Sequence, residues 1–280
     1  MALRRHHDLH RRLRRAGLLI ASAAGFCACG ADELGRRFTS DNPDVSSDPQ
    51  VHILYVLAAD SVDRELDRRG ILGGSVASWS LWLFERTGVR LRLDTYDGEL
   101  DVTFVRMRPD EERFASRGNR IRDAIEVELG ELGVLQPGKL YTAYYEGAAS
   151  HACADAPVPP DLVGQVTVVY LNGVIANARP CADNPIAKAD EPAGYIELAT
   201  LHELMHAQGA VPRCAPHWSA SHVGDDPTDL MYAGSAPWRP AVVDVGNDDY
   251  WDHGRSDCVD LLRSAFLTPT PEDPALPPGW

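Results

Sequence analysis

Two histidines four residues apart constrain this chain more than any other feature of its sequence. They lie in the segment His202-Glu203-Leu204-Met205-His206, which follows apolar residues at helical spacing over 195–201 and precedes a helix stop at Gly209. On an α-helix both imidazoles lie on one face, one turn apart, and can bind a single metal ion. Glu203 is then within reach of a water at that ion, where a general base belongs. The alternative is a surface helix with two incidental histidines.

The first thirty residues differ in kind from the rest of the chain. Six arginines precede a short apolar run at 16–26, which ends in Cys27-Ala28-Cys29-Gly30. A basic region, a short apolar region and small residues at the end are typical of an export signal. We therefore expect residues 1–29 to direct export, either to free secretion or as a lipoprotein signal with Cys29 as the lipidated residue. A basic arm that binds nucleic acid is the alternative, and the adjoining apolar run disfavours it.

The chain beyond this signal is strongly acidic. Without residues 1–28, 21 basic residues remain against 40 acidic ones, a net charge of −19. Such a surface repels nucleic acid and anionic membranes, so we expect any membrane attachment to come from a lipid anchor. The acidity is also compatible with bound calcium as a second cofactor. The apolar fraction of 44% is that of a globular protein, and no internal run is long enough to span a bilayer.

Four cysteines follow the signal, namely Cys153, Cys181, Cys214 and Cys258. An even number in an exported chain predicts two disulfides, for which three connectivities exist. We expect the sequential pairing, with Cys153–Cys181 ahead of the metal-binding helix and Cys214–Cys258 behind it. A cysteine-ligated zinc site is the alternative, but no two of these cysteines have the close Cys-x-x-Cys spacing of such sites.

Hydrophobic periodicity predicts one domain over residues 51–267, between a flexible spacer at 30–50 and a proline-rich tail at 268–280. We expect an α+β fold in which a mixed, twisted sheet packs against helices and the C-terminal part is rich in loops. The predicted strands cover 51–58, 89–96, 100–107, 139–145 and 165–171, with a hairpin turn at Asp97-Gly98. Besides the metal-binding helix, helices are predicted over 71–86, over 109–132 with a break near Gly118, and over 258–266.

The region around the two histidines resembles the metzincin metallopeptidases. Their extended motif, His-Glu-x-x-His-x-x-Gly-x-x-His, is followed from His202 through Gly209, but Pro212 stands where that family has its third histidine. The segment Asp-Leu-Met-Tyr-Ala-Gly at 229–234 looks like the Met-turn of the family. The resemblance implies that Met231 lies beneath the metal and that Tyr232 lies near the cleft. In metzincins with such a tyrosine, it usually comes two positions after the methionine.

A wider resemblance covers most of residues 50–267. This part of the chain is similar to a largely uncharacterised family of exported bacterial proteins that carry a metzincin-like site. The segments that carry this resemblance are 92–96, 100–104, 144–147, 202–212, 214–217, 224–234 and 244–250. The resemblance implies a zincin-like fold and an exported zinc protein, and it names no substrate.

A catalytic zinc site usually has three protein ligands and one open position, so a third ligand has to follow the helix. His217 and His222 both lie within reach, because the entropic cost of loop closure grows only logarithmically with length. We expect His222 to be the ligand, because it lies just ahead of the Met-turn segment, and His217 is the alternative. Asp225 and Asp226 are acidic alternatives, which we expect to accept hydrogen bonds, form turns or bind calcium.

The resulting hypothesis is a zinc-dependent metalloendopeptidase in which Glu203 is the general base. By analogy with metzincins, an edge strand, for which 165–171 is the candidate, pairs with an extended protein or peptide substrate. The alternative is a catalytically inactive, metal-stabilised binding or surface module on the same fold, which Pro212 favours and Glu203 disfavours. A hydrolase acting on a non-peptide substrate is a third reading. The sequence names neither the substrate nor the oligomeric state.

Overall fold

The computed structural model describes residues 34–173 and 181–280. The expected export signal, with Cys29, lies outside the described residues, as does the start of the expected spacer. Residues from Leu34 onward form one compact unit. Its elements are β1 (Gln50–Leu57), α1 (Ile71–Thr87), β2 (Arg90–Leu91), β3 (Thr95–Tyr96), β4 (Glu99–Leu100), β5 (Val102–Arg106), α2 (Glu111–Ala115), α3 (Ile121–Glu131), β6 (Lys139–Tyr145), β7 (Ala154–Asp155), β8 (Val166–Tyr170), α4 (Tyr195–Ala207), β9 (Trp218–Ser219), β10 (His222–Val223) and β11 (Leu267–Thr268).

The centre of the fold is a five-stranded mixed sheet with the strand order β5-β1-β6-β8-β7. The first four strands of that order are parallel, and β7 pairs antiparallel with β8. The expectation that residues 165–171 form an edge strand is therefore wrong, because the strand they form, β8, has a neighbour on both sides. The edge beside it is β7, which has only two residues and gives no alternating pattern that a sequence could reveal.

Side chains of β1 alternate between two hydrophobic clusters, one on each face of the sheet. Ile53 and Tyr55 belong to the cluster that also contains the apolar residues of α1 and α4. Leu54 and Val56 belong to the cluster that contains Ile125 and the other buried apolar residues of α2 and α3. Both faces are thus covered by helices, which explains why β1 is a continuous apolar run in the sequence. A mixed sheet between two helical layers is compatible with the expected α+β fold.

Three local expectations have different outcomes. The turn at Asp97-Gly98 joins β3 to β4, but β5 leaves this short hairpin and pairs with β1. The break near Gly118 is a short 3₁₀ turn between α2 and α3, where Gly118 has a φ of 58°. The expected helix at 258–266 is wrong, since only Leu261–Arg263 forms a 3₁₀ turn. Beyond it the backbone amide of Ala265 donates to the carbonyl of Ala275, so pairing with the tail replaces helical hydrogen bonds.

Residues 34–49, expected to belong to a flexible spacer, instead pack against the domain. The ammonium group of Lys139, at the start of β6, donates hydrogen bonds to the carboxylates of Asp41, Asp44 and Asp94. Because Lys139 and Asp94 are both buried, this ion cluster fixes residues 41–44 to the sheet.

The proline-rich tail lies across the surface as a strap. Its last residue, Trp280, packs edge-to-face against Phe266 at 5.4 Å between ring centroids. Within residues 34–173 and 181–280, no helix has both the length and the apolarity required to cross a membrane.

Candidate metal centre

Helix α4 brings His202 and His206 together at its C-terminal end, as the spacing predicts. Both side chains are buried, and their ring centroids lie 4.6 Å apart. The helix ends where expected, because Gly209 has a φ of 92° and its amide donates to the carbonyl of His206. A Cβ atom at this position would also approach the Pro278 ring to 3.0 Å. Glycine therefore satisfies both the backbone conformation and the packing.

The first turn of α4 is anchored by a buried carboxylate. One oxygen of Glu197 accepts a hydrogen bond from the amide of Gly194, which caps the helix. The other oxygen accepts from the Ser75 hydroxyl of α1 at 2.7 Å and from the Ala187 amide at 3.0 Å. These contacts fix α4 against α1 and hence the direction in which the two histidines point.

A two-residue hairpin supplies a third histidine. Strands β9 and β10 are joined by Ala220 and Ser221, which both have positive φ, and the hairpin places His222 beside α4. The Nε2 atoms of His206 and His222 lie 3.1 Å apart, and His202, His206 and His222 each offer a ring nitrogen within 4.8 Å of the others. The expected third ligand is thus brought into the group.

Backbone carbonyls orient two of these imidazoles. His202 Nδ1 lies 2.7 Å from the carbonyl oxygen of Leu230, and His222 Nδ1 lies 3.0 Å from that of Ala220. Because a carbonyl oxygen can only accept, each Nδ1 must carry the hydrogen, and each Nε2 presents its lone pair to the common centre. This arrangement is usual for histidines that bind a metal.

The three histidines fit a metal ion by charge and by distance. Burial lowers the pKa of His202 to about 3 and the pKa of His206 well below its ordinary value, so both rings are neutral. Metal binding requires neutral imidazoles. Two nitrogens on a tetrahedral ion at about 2.0–2.1 Å would be separated by about 3.3 Å, close to the observed distance between His206 and His222. The group can therefore hold a metal ion.

The turn at 229–232 lies directly against this group. The Asp229 carboxylate accepts hydrogen bonds from the amides of Met231 and Val245 and from the Tyr250 hydroxyl. The turn so fixed presents the Leu230 carbonyl to His202. Met231 is fully buried in the core cluster next to α4.

The same turn also fixes the strand that carries His222. The amide of Val223 donates to the carbonyl of Met231, and the amide of Ala233 donates to the carbonyl of Val223. One turn therefore sets the positions of both His202 and His222. Tyr232 lines the neighbouring cleft, and its hydroxyl oxygen accepts a hydrogen bond from the Ala236 amide at 2.9 Å.

His217, the alternative third ligand, lies outside the histidine group. Asp249 accepts hydrogen bonds from its backbone amide and from its Nδ1, at 2.8 and 3.0 Å. Asp225 lies 3.5 Å from its other nitrogen, and Asp226 accepts from the amide and hydroxyl of Thr228 in its own loop. His217 instead connects the β9–β10 hairpin to residues 244–250.

Among the described residues, two further groups have the spacing to hold a cation. One comprises His217, Asp248 and Asp249, which already share hydrogen bonds and ion pairs. The other comprises Asp41, His52, Asp94 and Asp101. In this second group the Lys139 ammonium already supplies the positive charge.

A cleft of about 310 Å³ opens beside the histidines. His202, Glu203 and His222 line it together with Ala154 of β7 and, from the loop before β7, His151. Glu203 is half-buried there. Its pKa is raised well above the usual range, mainly by burial and further by the nearby negative charge of Asp155.

No family model and no curated protein matches this chain. The cleft therefore has to be interpreted from its own residues. Tyr195 and Trp238 also line it and carry no recognisable sequence signal. His151 does have a signal in the sequence, because it lies two residues before Cys153, which is expected to form a disulfide.

Two disulfides brace the segments on either side of the metal centre. Cys153 pairs with Cys181, and Cys214 pairs with Cys258, which is the sequential pairing. The first holds the start of β7 beside the cleft, and the second ties the loop after α4 to the C-terminal region. Two such bonds fit an oxidising compartment.

Proposed function

We propose that this protein is an exported, zinc-dependent metallopeptidase of metzincin-like type. The observation that carries the proposal is the convergence of His202, His206 and His222, of which His202 and His222 line the same cleft as Glu203. Three imidazoles with an open fourth position are typical of catalytic zinc, whereas structural zinc sites are closed by a fourth protein ligand. The turn containing Met231, which lies against the site, supports the resemblance to metzincins.

When bound, zinc would polarise a peptide carbonyl and make a water molecule more acidic. Glu203 accepts a proton from that water as the water oxygen adds to the carbonyl carbon. It then delivers the proton to the amine nitrogen as the C–N bond breaks. Its place directly after His202 on α4 keeps its carboxylate at the centre without using it as a ligand.

The edge strand β7 suits an extended peptide. The Tyr170 amide donates to the carbonyl of Cys153, so Cys153 faces β8 and the next residue, Ala154, faces away from it. Ala154 lines the cleft, and its outward N–H and C=O groups can pair with a substrate backbone. β7 thus takes the role first expected of residues 165–171.

The second candidate function is an inactive, metal-stabilised binding module. Pro212 favoured it, because that residue cannot bind a metal. His222 supplies a third imidazole from a different position and answers this objection. Glu203 in the cleft further favours catalysis, since a structural site needs no carboxylate there.

The test is the Glu203→Gln variant, purified with zinc and assayed on fluorescein-labelled casein. Hydrolysis should fall by at least about 10²-fold while the zinc content stays unchanged, because the general base is lost and the ligands remain. Glu85→Gln, which changes an exposed glutamate on α1, is the matched control and should behave as the wild type. Retained hydrolysis in Glu203→Gln contradicts the role of Glu203. A zinc-loaded wild type that cleaves no protein or peptide favours the inactive module.

A further inference from the structure

A histidine and an aspartate form a pair on the β7 side of the cleft. His151 Nε2 lies 3.3 Å from Asp155 Oδ2, and both side chains are about one-third exposed. The His151 ring packs against the fully buried Tyr170 at 6.1 Å between ring centroids, which limits its movement. His151 lines the same cavity as His202, Glu203 and His222. The pair therefore belongs to the cleft but takes no part in the metal-binding group.

The second ring nitrogen of His151 is free to contact a ligand. Nε2 faces Asp155, and within the described part of the chain Nδ1 has no hydrogen-bond partner. In the protonated ring, Nε2–H donates to Asp155 and Nδ1–H remains for a molecule in the cleft.

Such a donor would accelerate peptide hydrolysis. Negative charge develops on the carbonyl oxygen as water adds, and a fixed hydrogen-bond donor aimed at that oxygen typically contributes 10²–10³ in rate. Tyr195 and Tyr232 also line the cleft and carry hydroxyl groups. Tyr232 is only 7% exposed, and its hydroxyl is held at the Ala236 amide. Tyr195 is exposed, but among the described residues no hydrogen bond fixes its hydroxyl, whereas Asp155 fixes the His151 ring.

We propose that His151, positioned by Asp155, is a catalytic residue that donates a hydrogen bond to the substrate carbonyl oxygen. The inference rests on the proposed peptidase function and names a second catalytic group beside Glu203. His151 contributes a hydrogen bond only, and no proton is transferred to or from it. The proton that water loses passes through Glu203 to the amine, the new C–O bond forms, and the C–N bond breaks.

The experiment compares His151→Gln, His151→Asn and Tyr232→Phe, each loaded with zinc. Arg213→Gln, which breaks an exposed ion pair with Asp161, is the matched control. A quenched fluorescent peptide containing a casein site gives kcat and KM. Calorimetry gives the affinities for a phosphinic tripeptide, which mimics the tetrahedral carbon and its oxygens, and for acetohydroxamate, a small metal chelator that lacks this tetrahedral group.

For His151→Gln we expect kcat and the phosphinic affinity to fall about 10²-fold, while KM changes less than about threefold. Zinc content and acetohydroxamate affinity should not change. Asn places its amide near the former Nδ1, whereas Gln reaches towards Nε2, so His151→Asn should recover about tenfold of the lost rate. Arg213→Gln should retain the wild-type activity, and Tyr232→Phe should lose less activity than His151→Gln.

A kcat within threefold of the wild type in His151→Gln overturns the proposal, as does an equal loss of affinity for both inhibitors. A loss of rate confined to Tyr232→Phe assigns the donor to Tyr232 and also overturns it. If the zinc-loaded wild type cleaves nothing, the proposed function fails by itself. The ratio of the two inhibitor affinities in His151→Gln then still decides whether His151 contacts the tetrahedral group.

Discussion

The Nε2 atoms of His206 and His222 lie 3.1 Å apart, although the two residues are sixteen positions apart in the chain. One belongs to a helix and the other to a hairpin, so the pair forms only if these two elements are held in a fixed relative position. The turn at 229–232 holds them there, because it hydrogen-bonds both to His202 and to the strand that carries His222. The geometry of the three-histidine group therefore depends on residues outside it.

Asp229→Ala should weaken both the fold and the metal site. The substitution removes the acceptor of two amides and of the Tyr250 hydroxyl, and we expect the free energy of unfolding to fall by about 3 kcal/mol. Zinc affinity should fall about 10–100-fold, because the Leu230 carbonyl no longer holds His202 in place. Urea unfolding and zinc competition titrations measure the two effects. Asp226→Ala in the same loop is the control, and an equal effect there would contradict the assigned role of Asp229.

Lys139→Met should release the N-terminal segment. It leaves the carboxylates of Asp41, Asp44 and the buried Asp94 without their cation, which typically costs 3–5 kcal/mol when a buried ion pair loses one partner. Limited proteolysis should then cut within residues 34–49, and mass spectrometry of the fragments locates the cuts. Lys188→Met, which changes an exposed lysine, is the control. A Lys139→Met protein as stable and as resistant as the wild type would refute this account of the ion cluster.

The disulfides should differ in what they support. Replacing Cys214 and Cys258 by serine should lower the free energy of unfolding by about 4 kcal/mol, as loop-closure entropy predicts for their sequence separation of 44. The same change at Cys153 and Cys181 should cost slightly less and should also weaken peptide binding, because it loosens the start of β7. Urea unfolding and the KM of the fluorescent peptide separate the two effects. Equal KM values in both double variants would contradict a bracing role for Cys153–Cys181.

The position of the metal helix could be read from the sequence because helix geometry alone fixes it. His202 and His206 fall on one face whatever surrounds them, and Gly209 ends the helix by its backbone conformation. The third ligand was harder to predict, since loop-closure entropy allows both His217 and His222. The deciding turn contains Ala220 and Ser221 at positive φ, and neither residue is the asparagine or glycine that marks such hairpins.

The sheet shows the same limit. The long apolar run of β1 predicted a buried strand, but a two-residue edge strand such as β7 leaves no periodicity to detect. The prediction of a flexible spacer is wrong for residues 34–49, because their polar composition gives no sign of the contact with Lys139, about a hundred residues later. Long-range ion pairs of this kind are invisible to local composition. Only the folded structure brings such residues together.

The stability contributed by His217 should depend on pH. Asp249 raises the pKa of His217 above its ordinary value, and Asp225 and Asp248 act in the same direction. The folded chain therefore holds this proton more tightly than the unfolded chain. The stabilisation is complete below the ordinary pKa of 6.5 and is lost as the pH rises through the folded value.

His217→Gln should consequently lower Tm more at about pH 5.5 than at about pH 9. The difference should be small, about 0.5 kcal/mol, because the ring is more than one-third exposed and solvent screens the ion pairs. Differential scanning fluorimetry of both proteins across this range measures it. A difference in Tm that grows towards high pH would contradict the sign.

The central claim is that His202, His206 and His222 hold one metal ion and that His217 does not. Zinc content of the purified protein, measured by mass spectrometry after dialysis, tests it most directly when repeated on His222→Ala and His217→Ala. We expect one zinc per chain in the wild type and in His217→Ala, and loss of nearly all zinc in His222→Ala. Zinc lost equally from both variants, or retained in both, would contradict the account.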